Sequence, residues 1–187
     1  MSRDEKLKWD ARYREGSHTG AAPSRVLTAI EPLLPTTGRA LDVGGGAGRH
    51  ALWLARRGLD VTIADISEVG LAIASERARA EGLAVRTAQA DLESEPLPEG
   101  PWDLIVVFHF LLRPLFDVFK EVLAPGGVLA VVHPTRSNLA RHDKPGPAFL
   151  LEDGELPGLV KGLEIVHSDE GWLEEGRHEA RLLARKA

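Results

Sequence analysis

The sequence predicts an α/β fold, a three-layer sandwich around a mostly parallel seven-stranded sheet with a C-terminal antiparallel hairpin. From residue 38 to residue 134, apolar runs rich in β-branched residues alternate with longer helical patterns, which is typical of successive βαβ units. Near the C-terminus, apolar runs at 163–168 and 179–186 are separated only by residues 169–178, too few for a substantial crossover helix. These two runs should therefore pair antiparallel.

The remaining elements follow from local patterns. Two short helices come first, at 4–14 and 24–34, and prolines stand at both ends of the second. The strands of the parallel part are predicted at 38–43, 59–65, 83–90, 102–108 and 128–133. The helices between them are predicted from the glycine cluster to Arg57, from Ser67 to about Glu81 and from Leu115 to Leu123. The polar, proline-containing segment 134–147 is predicted to be a mobile loop.

Composition limits the classes to which the chain can belong. Its 187 residues suit one domain, with N-terminal helices that form a lid (1–37), a ligand-binding core (38–134) and a substrate-side loop with the hairpin (135–187). The net charge of −5 disfavours nucleic acid as a partner, and the absence of cysteine excludes disulfides. We expect no membrane span and no signal peptide, hence a cytoplasmic protein. Few Asn, Gln and Met residues suggest a thermophile, although a GC-rich genome would explain part of this depletion.

A glycine-rich turn, Asp42-Val43-Gly44-Gly45-Gly46-Ala47-Gly48, follows the first strand. Its glycines let the backbone approach a ligand closely and adopt positive φ. Asp65 ends the second strand, where a carboxylate would accept both hydroxyls of a ribose. Asp91 follows the third strand, where it could accept the amino group of an adenine while Leu92 packs on the ring. These residues predict a nucleoside ligand, although a tight turn or a helix cap would use the same residue types.

Together these residues resemble the class I S-adenosylmethionine-dependent methyltransferases over residues 38–134. Asp42-x-Gly44-x-Gly46-x-Gly48 is similar to the signature loop of that family, and Leu123-Ala124-Pro125-Gly126-Gly127 to its turn before strand five. The resemblance implies the Rossmann-like class I methyltransferase fold, in which the seventh strand inserts antiparallel beside the fifth. It also implies S-adenosylmethionine as the cofactor.

The flanking segments resemble the tellurite-resistance type of small-molecule methyltransferases. They are Trp9-Asp10-Ala11-Arg12-Tyr13, Gly48-Arg49-His50, residues 149–156 and residues 180–186, with His50 where that type usually has Asn. By this resemblance the N-terminal segment folds over the cofactor, with Arg12 or Tyr13 near the methionine carboxylate. Alternatively, Trp9 and Tyr13 are an aromatic pair that holds the first helix on the domain. The predicted cofactor-binding residues are Asp42, Gly44, Gly45, Gly46, Gly48, Asp65, Ile66, Asp91, Leu92, Phe108, Trp9, Arg12 and Tyr13.

Methyl transfer is an in-line displacement, which needs a base only if the acceptor must lose a proton. His109, after strand four, is the predicted catalytic residue, and His133, at the end of strand five, is the weaker candidate. A structural role is the alternative for each. Val107-Phe108-His109-Phe110 lacks the Asn/Asp-Pro-Pro-aromatic motif of enzymes that methylate base amino groups. No histidine spacing predicts a metal site.

The sequence therefore predicts a methyltransferase that acts on a small molecule, for example a thiol, a chalcogen oxyanion or an amine. It does not indicate the oligomeric state. One alternative is a nicotinamide-dependent oxidoreductase, since Gly46-x-Gly48-x-x-Ala51 loosely matches a dinucleotide fingerprint. Asp91 and the C-terminal hairpin argue against it. The other alternative is a non-catalytic module that binds S-adenosylmethionine.

Overall fold

The sheet has seven strands in the order β3-β2-β1-β4-β5-β7-β6, in a computed structural model that describes residues 3–20 and 22–187. Strands β1 to β5 are parallel, and β7 lies antiparallel between β5 and β6. The predicted fold class is therefore confirmed, including the inserted seventh strand. The strands are β1 Arg39–Val43, β2 Asp60–Asp65, β3 Val85–Gln89, β4 Trp102–Phe108, β5 Leu123–Pro134, β6 Glu164–Trp172 and β7 His178–Arg185.

Helices cover both faces of the sheet. They are α1 Arg3–Arg14, α2 Arg25–Ala29, α3 Arg49–Arg56, α4 Glu68–Ala80, α5 Leu115–Val122 and α6 Leu156–Leu159, with short 3₁₀ helices at Glu31–Leu33, Arg136–Ala140 and Pro147–Phe149. Residues of α5 pack in one apolar core and residues of α2, α3 and α4 in the other, with alternate strand residues facing each core. Among the described residues, no helix is both long and apolar enough to cross a membrane.

Three predicted boundaries were wrong. The helix predicted at 24–34 ends at Ala29, because Pro32 lacks the N–H that an α-helix would need there. β5 begins at Leu123 instead of residue 128, since Leu123 already pairs with Trp102 before the register shifts. The hairpin strands extend to Trp172 and from His178, so that only residues 173–177 connect them.

One edge of the sheet collects the predicted site residues. β1, β2 and β4 are parallel and therefore end at the same edge, followed there by the glycine loop, Ile66 and His109. β5 also ends there, at Pro134, which lies opposite Glu179 near the start of the antiparallel β7. Ligands of open α/β sheets bind at this carboxyl edge.

Candidate functional site

The glycine loop requires glycine at its central positions. Gly44, Gly46 and Gly48 have φ angles of 66°, 50° and 78°, in the left-handed region that other residues rarely adopt. A Cβ on Gly44 would lie 2.8 Å from the Cβ of Phe110, and one on Gly46 would collide with the hydroxyl of Tyr13. The backbone of the loop therefore packs directly against Phe110 and Tyr13 at the sheet edge, with no side chain of its own in between.

Asp65 connects the glycine loop to helix α4. Its Oδ2 accepts the backbone N–H of Gly46 at 2.9 Å, and its Oδ1 accepts the N–H of Ser67 at 2.8 Å. Burial raises the pKa of Asp65, and these two hydrogen bonds partly offset that increase. The carboxylate thus lies directly under the loop, at the end of β2 where the sequence predicted a ribose acceptor.

Asp42 lies below the loop in the interior. Its Oδ2 accepts the N–H of Ala51 in α3 at 3.2 Å, and a Cβ on Gly45 would lie 2.6 Å from its Cγ. Burial raises the pKa of Asp42 to about 7, despite the hydrogen bond from Ala51. Asp42 therefore contacts both the backbone of the loop and the first turn of α3, and it supports the conformation of the loop from the interior side.

The N-terminal helix is fastened at its middle by a buried carboxylate. Asp10 accepts hydrogen bonds from the hydroxyl of Ser67 at 2.7 Å, from the N–H of Val69 at 3.2 Å and from the ammonium of Lys6 at 2.8 Å. Asp10 therefore caps α4 from another element. The sequence analysis missed this role, although the residue belongs to the quoted Trp9-to-Tyr13 motif.

Tyr13 follows Asp10 by about one helical turn and lies over the glycine loop. Its ring is buried, and a Cβ on Gly70 would be 2.8 Å from its Cε2. Burial, together with the negative charges of Asp65 and Asp42, raises the pKa of the Tyr13 hydroxyl above its ordinary value. The side chain that the resemblance placed near the cofactor is thus next to Gly46.

Trp9 packs on Arg12 and on His18. The guanidinium of Arg12 is 4.9 Å from the Trp9 ring centroid, and the rings of Trp9 and His18 are 5.5 Å apart. Trp9 also contacts Tyr13, at 6.0 Å between centroids. These contacts fit an aromatic pair that holds α1, and Arg12 is half-buried.

The predicted adenine side of the site lies at the ends of β2 and β3. The N–H of Ala90 donates to the carbonyl of Asp65 at 3.1 Å, which brings Asp91 beside the end of β2. Leu92 and Ile66 are buried, and Asp91 accepts the N–H of Glu93 at 3.1 Å. All three residues therefore lie at the same corner of the sheet.

The two aromatic residues around His109 have different positions. Phe108 is buried in the core, and its ring centroid lies 4.5 Å from that of His50. Phe110, which the sequence analysis did not select, lies against Gly44. Burial lowers the pKa of His50 to about 3, so this ring is neutral and belongs to the core.

The two candidate bases also differ. His133 is buried, donates from Nε2 to the carbonyl of Phe149 at 2.8 Å, and has its pKa lowered by burial to about 4. His109 is 28% exposed at its side chain and has a φ of 60°, a strained conformation that costs about 1–2 kcal/mol. Its Nε2 lies 2.9 Å from Oε1 of Glu179. Glu179 was missed because nothing local distinguishes it.

Several positive groups lie near His18 and Glu179. Burial and the charges of Arg12, Arg49 and Arg177 lower the pKa of His18. Arg177 also lies 3.9 Å from Glu179. A ligand that carries a carboxylate or another anionic group would be attracted to these residues.

Asp153, Glu170 and His178 are a group of described residues whose possible metal-ligand atoms lie within 4.8 Å of one another. Each of them already has a hydrogen-bond partner in the protein: Asp153 pairs with Ser137, Glu170 with Gly154 and His178 with Thr135. We assign no metal to this group. The absence of a metal site stays a prediction.

Comparison with known proteins was consistent with this geometry. Residues 40–127 match the family described as a methyltransferase domain. Demethylmenaquinone methyltransferase of Thermus thermophilus is 40% identical over 102 residues, 50% of this chain and 46% of that protein. The tRNA 5-carboxymethoxyuridine methyltransferase of Escherichia coli is 33% identical over 134 residues, 66% of this chain and 50% of that protein.

The probable S-adenosyl-L-methionine-dependent methyltransferase TehB of Haemophilus influenzae is 30% identical over 163 residues, 82% of this chain and 54% of that protein. A crystal structure of TehB from that organism matches with a TM-score of 0.74 and 26% identity, over 94% of this chain and 66% of that chain. The chain spans about half the length of these curated relatives. The fold, the glycine loop and these similarities show that the chain belongs to the class I S-adenosylmethionine-dependent methyltransferases and resembles their tellurite-resistance type, a family that uses S-adenosylmethionine as its cofactor.

Proposed function

We propose that this chain transfers the methyl group of S-adenosylmethionine to a small-molecule acceptor at the carboxyl edge of its sheet. One observation carries the proposal. The bare glycine loop, the Asp65 carboxylate beneath it and the partly exposed imidazole of His109 follow β1, β2 and β4 at that same edge. A nucleoside bound at the glycine loop would therefore lie at the same edge of the sheet as a group that can accept a proton.

The cofactor would be held by residues from α1 and from the carboxyl ends of four strands. When bound, S-adenosylmethionine supplies an electrophilic methyl group on a sulfonium. We assign the backbone of Gly44, Gly46 and Gly48 and the Asp65 carboxylate to the nucleoside, and Asp91, Leu92 and Ile66 to the adenine. Tyr13 and Arg12 would cover the methionine end, with Trp9 supporting them. Phe110 replaces Phe108 in this assignment, because Phe110 lies against Gly44 whereas Phe108 is buried beside His50.

His109 would act as the base for acceptors that must lose a proton. Its side chain retains solvent access, whereas His133 is buried, and the hydrogen bond of His133 to Phe149 holds the segment after β5. General-base catalysis contributes roughly 10²–10⁴-fold in enzymes that use it. Substitution of His109 should therefore lower the rate for a thiol or an amine more than for an acceptor that is already an anion.

A small acceptor is supported by the charge of the chain. The net charge of −5 gives no general attraction to a polynucleotide. The positive groups around His18 instead offer a local site for one anionic group. Because one relative is named as a tRNA 5-carboxymethoxyuridine methyltransferase, tRNA that carries 5-carboxymethoxyuridine belongs among the acceptors to be tested.

Calorimetric titration tests the cofactor. S-adenosylmethionine and S-adenosylhomocysteine should bind with micromolar affinity, and NAD should not bind. Asp65→Asn should weaken binding by roughly 10- to 100-fold, since a hydrogen bond to a charged group contributes about 1.5–3 kcal/mol. Asp117→Asn, the same change at an exposed site on α5, is the control. Binding of NAD alone, or of no nucleotide, would overturn the proposal.

Turnover tests the acceptor. Formation of S-adenosylhomocysteine should be measured with a small thiol, selenite, a primary amine and tRNA that carries 5-carboxymethoxyuridine. Turnover with a small molecule supports the proposal, whereas turnover with tRNA alone contradicts the acceptor class. Binding of S-adenosylmethionine without turnover on any of the four would favour a non-catalytic binding module instead.

A further inference from the structure

We propose that Glu179 is a positioning residue that holds His109 with its proton on Nε2, so that Nδ1 is the nitrogen that accepts a proton from the acceptor. This inference rests on the role of His109 proposed above. It assigns a function to a residue 70 positions away in the chain, which no sequence motif connects to the site.

The location of Glu179 first requires explanation. It lies near the start of β7, opposite Pro134 of β5 and Gly171 of β6, and its side chain is 4% exposed. A buried carboxylate is unfavourable unless it is paired and hydrogen-bonded. Its nearest cationic or titratable partner is His109, at 2.9 Å, while Arg177 is 3.9 Å away. The hydrogen-bonded partner of Glu179 is thus the imidazole.

The direction of this hydrogen bond follows from charge. Burial raises the pKa of Glu179, but the hydrogen bond from His109 and the charges of Arg177 and Arg181 act in the opposite direction, and the net change is a lowering. Glu179 is therefore ionised, and an ionised carboxylate can only accept. Nε2 must donate, which leaves the lone pair of the neutral ring on Nδ1.

Nδ1 is free to receive a proton. Across residues 3–20 and 22–187, Nε2 is the His109 ring nitrogen that has a hydrogen-bond partner, and Nδ1 has none. The backbone of His109 is fixed as well, since its N–H donates to the carbonyl of Val132 at 2.8 Å despite its positive φ. Ring and backbone are both held, as expected for an oriented base and its carboxylate partner.

The competing explanation is that Glu179 only balances positive charge. Arg177 and Arg181 both interact with it electrostatically, and a charge-balancing carboxylate would need no particular ring tautomer. The other titratable groups that interact with His109 are His18, His50 and His133. A test must therefore read the tautomer of His109 itself, and not only stability or activity.

NMR of the ¹⁵N-labelled full chain provides this reading and does not depend on an identified acceptor. Long-range ¹H–¹⁵N spectra, recorded where imidazole rings are neutral, distinguish the two tautomers, and His109→Gln assigns the signals. We expect a protonated Nε2 and a bare Nδ1 in the wild type, and a mixture of tautomers in Glu179→Gln and Glu179→Ala. Glu175→Gln, on the same hairpin and paired only loosely with Arg25, should leave the spectrum unchanged. Glu179→Gln keeps the side-chain volume in case the alanine variant does not fold.

Kinetics supply the second reading. With an acceptor that the turnover assay identifies, kcat of Glu179→Gln should fall by roughly 10- to 100-fold, the range found when the carboxylate partner of a metal-bound histidine is lost. The affinity for S-adenosylmethionine should not change. The inference is overturned if His109 keeps the same single tautomer in both Glu179 variants, or if Arg177→Gln changes the tautomer as strongly as they do. Failure of the wild type to bind S-adenosylmethionine would refute the proposed function alone, since the tautomer can still be measured.

Discussion

Asp42→Asn should stabilise the fold, and more so as the pH rises. Burial of Asp42 raises its pKa from 3.8 to about 7. At about 1.4 kcal/mol per pKa unit, the ionised carboxylate costs the folded state roughly 4 kcal/mol above pH 7. Asparagine has nearly the same shape, can accept the N–H of Ala51 through its amide oxygen, and is never ionised.

The sign of the effect follows from proton binding. Because the pKa of Asp42 is higher in the folded than in the unfolded chain, its contribution to stability is fully present below about pH 4 and is lost as the pH rises through 7. The unfolding free energy of the wild type should therefore decrease over this window. The advantage of Asp42→Asn should be about 2 kcal/mol at about pH 5.5 and about 4 kcal/mol at pH 8.

Urea unfolding followed by circular dichroism at these two pH values measures this difference. The growth of about 2 kcal/mol between them is the decisive quantity, because any intrinsic difference between Asp and Asn is present at both pH values and cancels. Asp117→Asn, at an exposed position, should show no such growth. An advantage of Asp42→Asn that is the same at both pH values would mean that Asp42 stays ionised, and the reasoning from burial would be refuted.

Two further substitutions test the loop and its cover. Gly46→Ala should lower the unfolding free energy by more than the roughly 1–2 kcal/mol that a left-handed φ costs, because its Cβ also meets Tyr13. Gly82→Ala is the control, because Gly82 has a φ of 68° but a Cβ there would meet no atom within 4 Å, so that only the backbone strain is added. If the two variants lost the same unfolding free energy, the proposed collision of Gly46→Ala with Tyr13 would be contradicted. Asp10→Ala should cost about 1–2 kcal/mol and weaken S-adenosylmethionine binding, because the N–H of Val69 and the hydroxyl of Ser67 lose their shared acceptor and Tyr13 loses its support. Thermal unfolding measures the loss of stability, and calorimetric titration measures the loss of S-adenosylmethionine binding. Asp4→Ala, at an exposed position on the same helix, should change little in either measurement.

The strands could be predicted because each has its own apolar pattern. Trp102–Phe108 is almost continuously apolar, as a strand buried on both faces must be, and its predicted limits match the observed ones. The place of β7 between β5 and β6 is different. The spacing of the two runs predicted only that they pair with each other, and the family resemblance supplied the neighbour of β7. The helix predicted at 24–34 failed because its apolar periodicity continues past Ala29, whereas the backbone cannot continue as an α-helix through Pro32.

The site was predicted only where its chemistry is local in sequence. The glycine loop and Asp65 stand at strand ends, and a strand end can be recognised from a few residues. Asp10 pairs with Ser67 across 57 positions and His109 with Glu179 across 70, so neither pair leaves a local pattern. Both carboxylates are buried, and a single sequence does not reveal which of many acidic residues lose contact with water.

The contacts around the loop form a closed ring, which explains why a short N-terminal helix can order the site. The N–H of Gly46 donates to Asp65, which also accepts the N–H of Ser67, and the hydroxyl of Ser67 donates to Asp10. Asp10 lies about one helical turn before Tyr13, and Tyr13 returns to Gly46. Each residue of the ring therefore fixes the position of the next, and the loss of one contact should loosen both α1, which carries Tyr13, and the glycine loop. Residues in one such network do not contribute independently, so paired substitutions within this ring should cost less than the sum of the single ones.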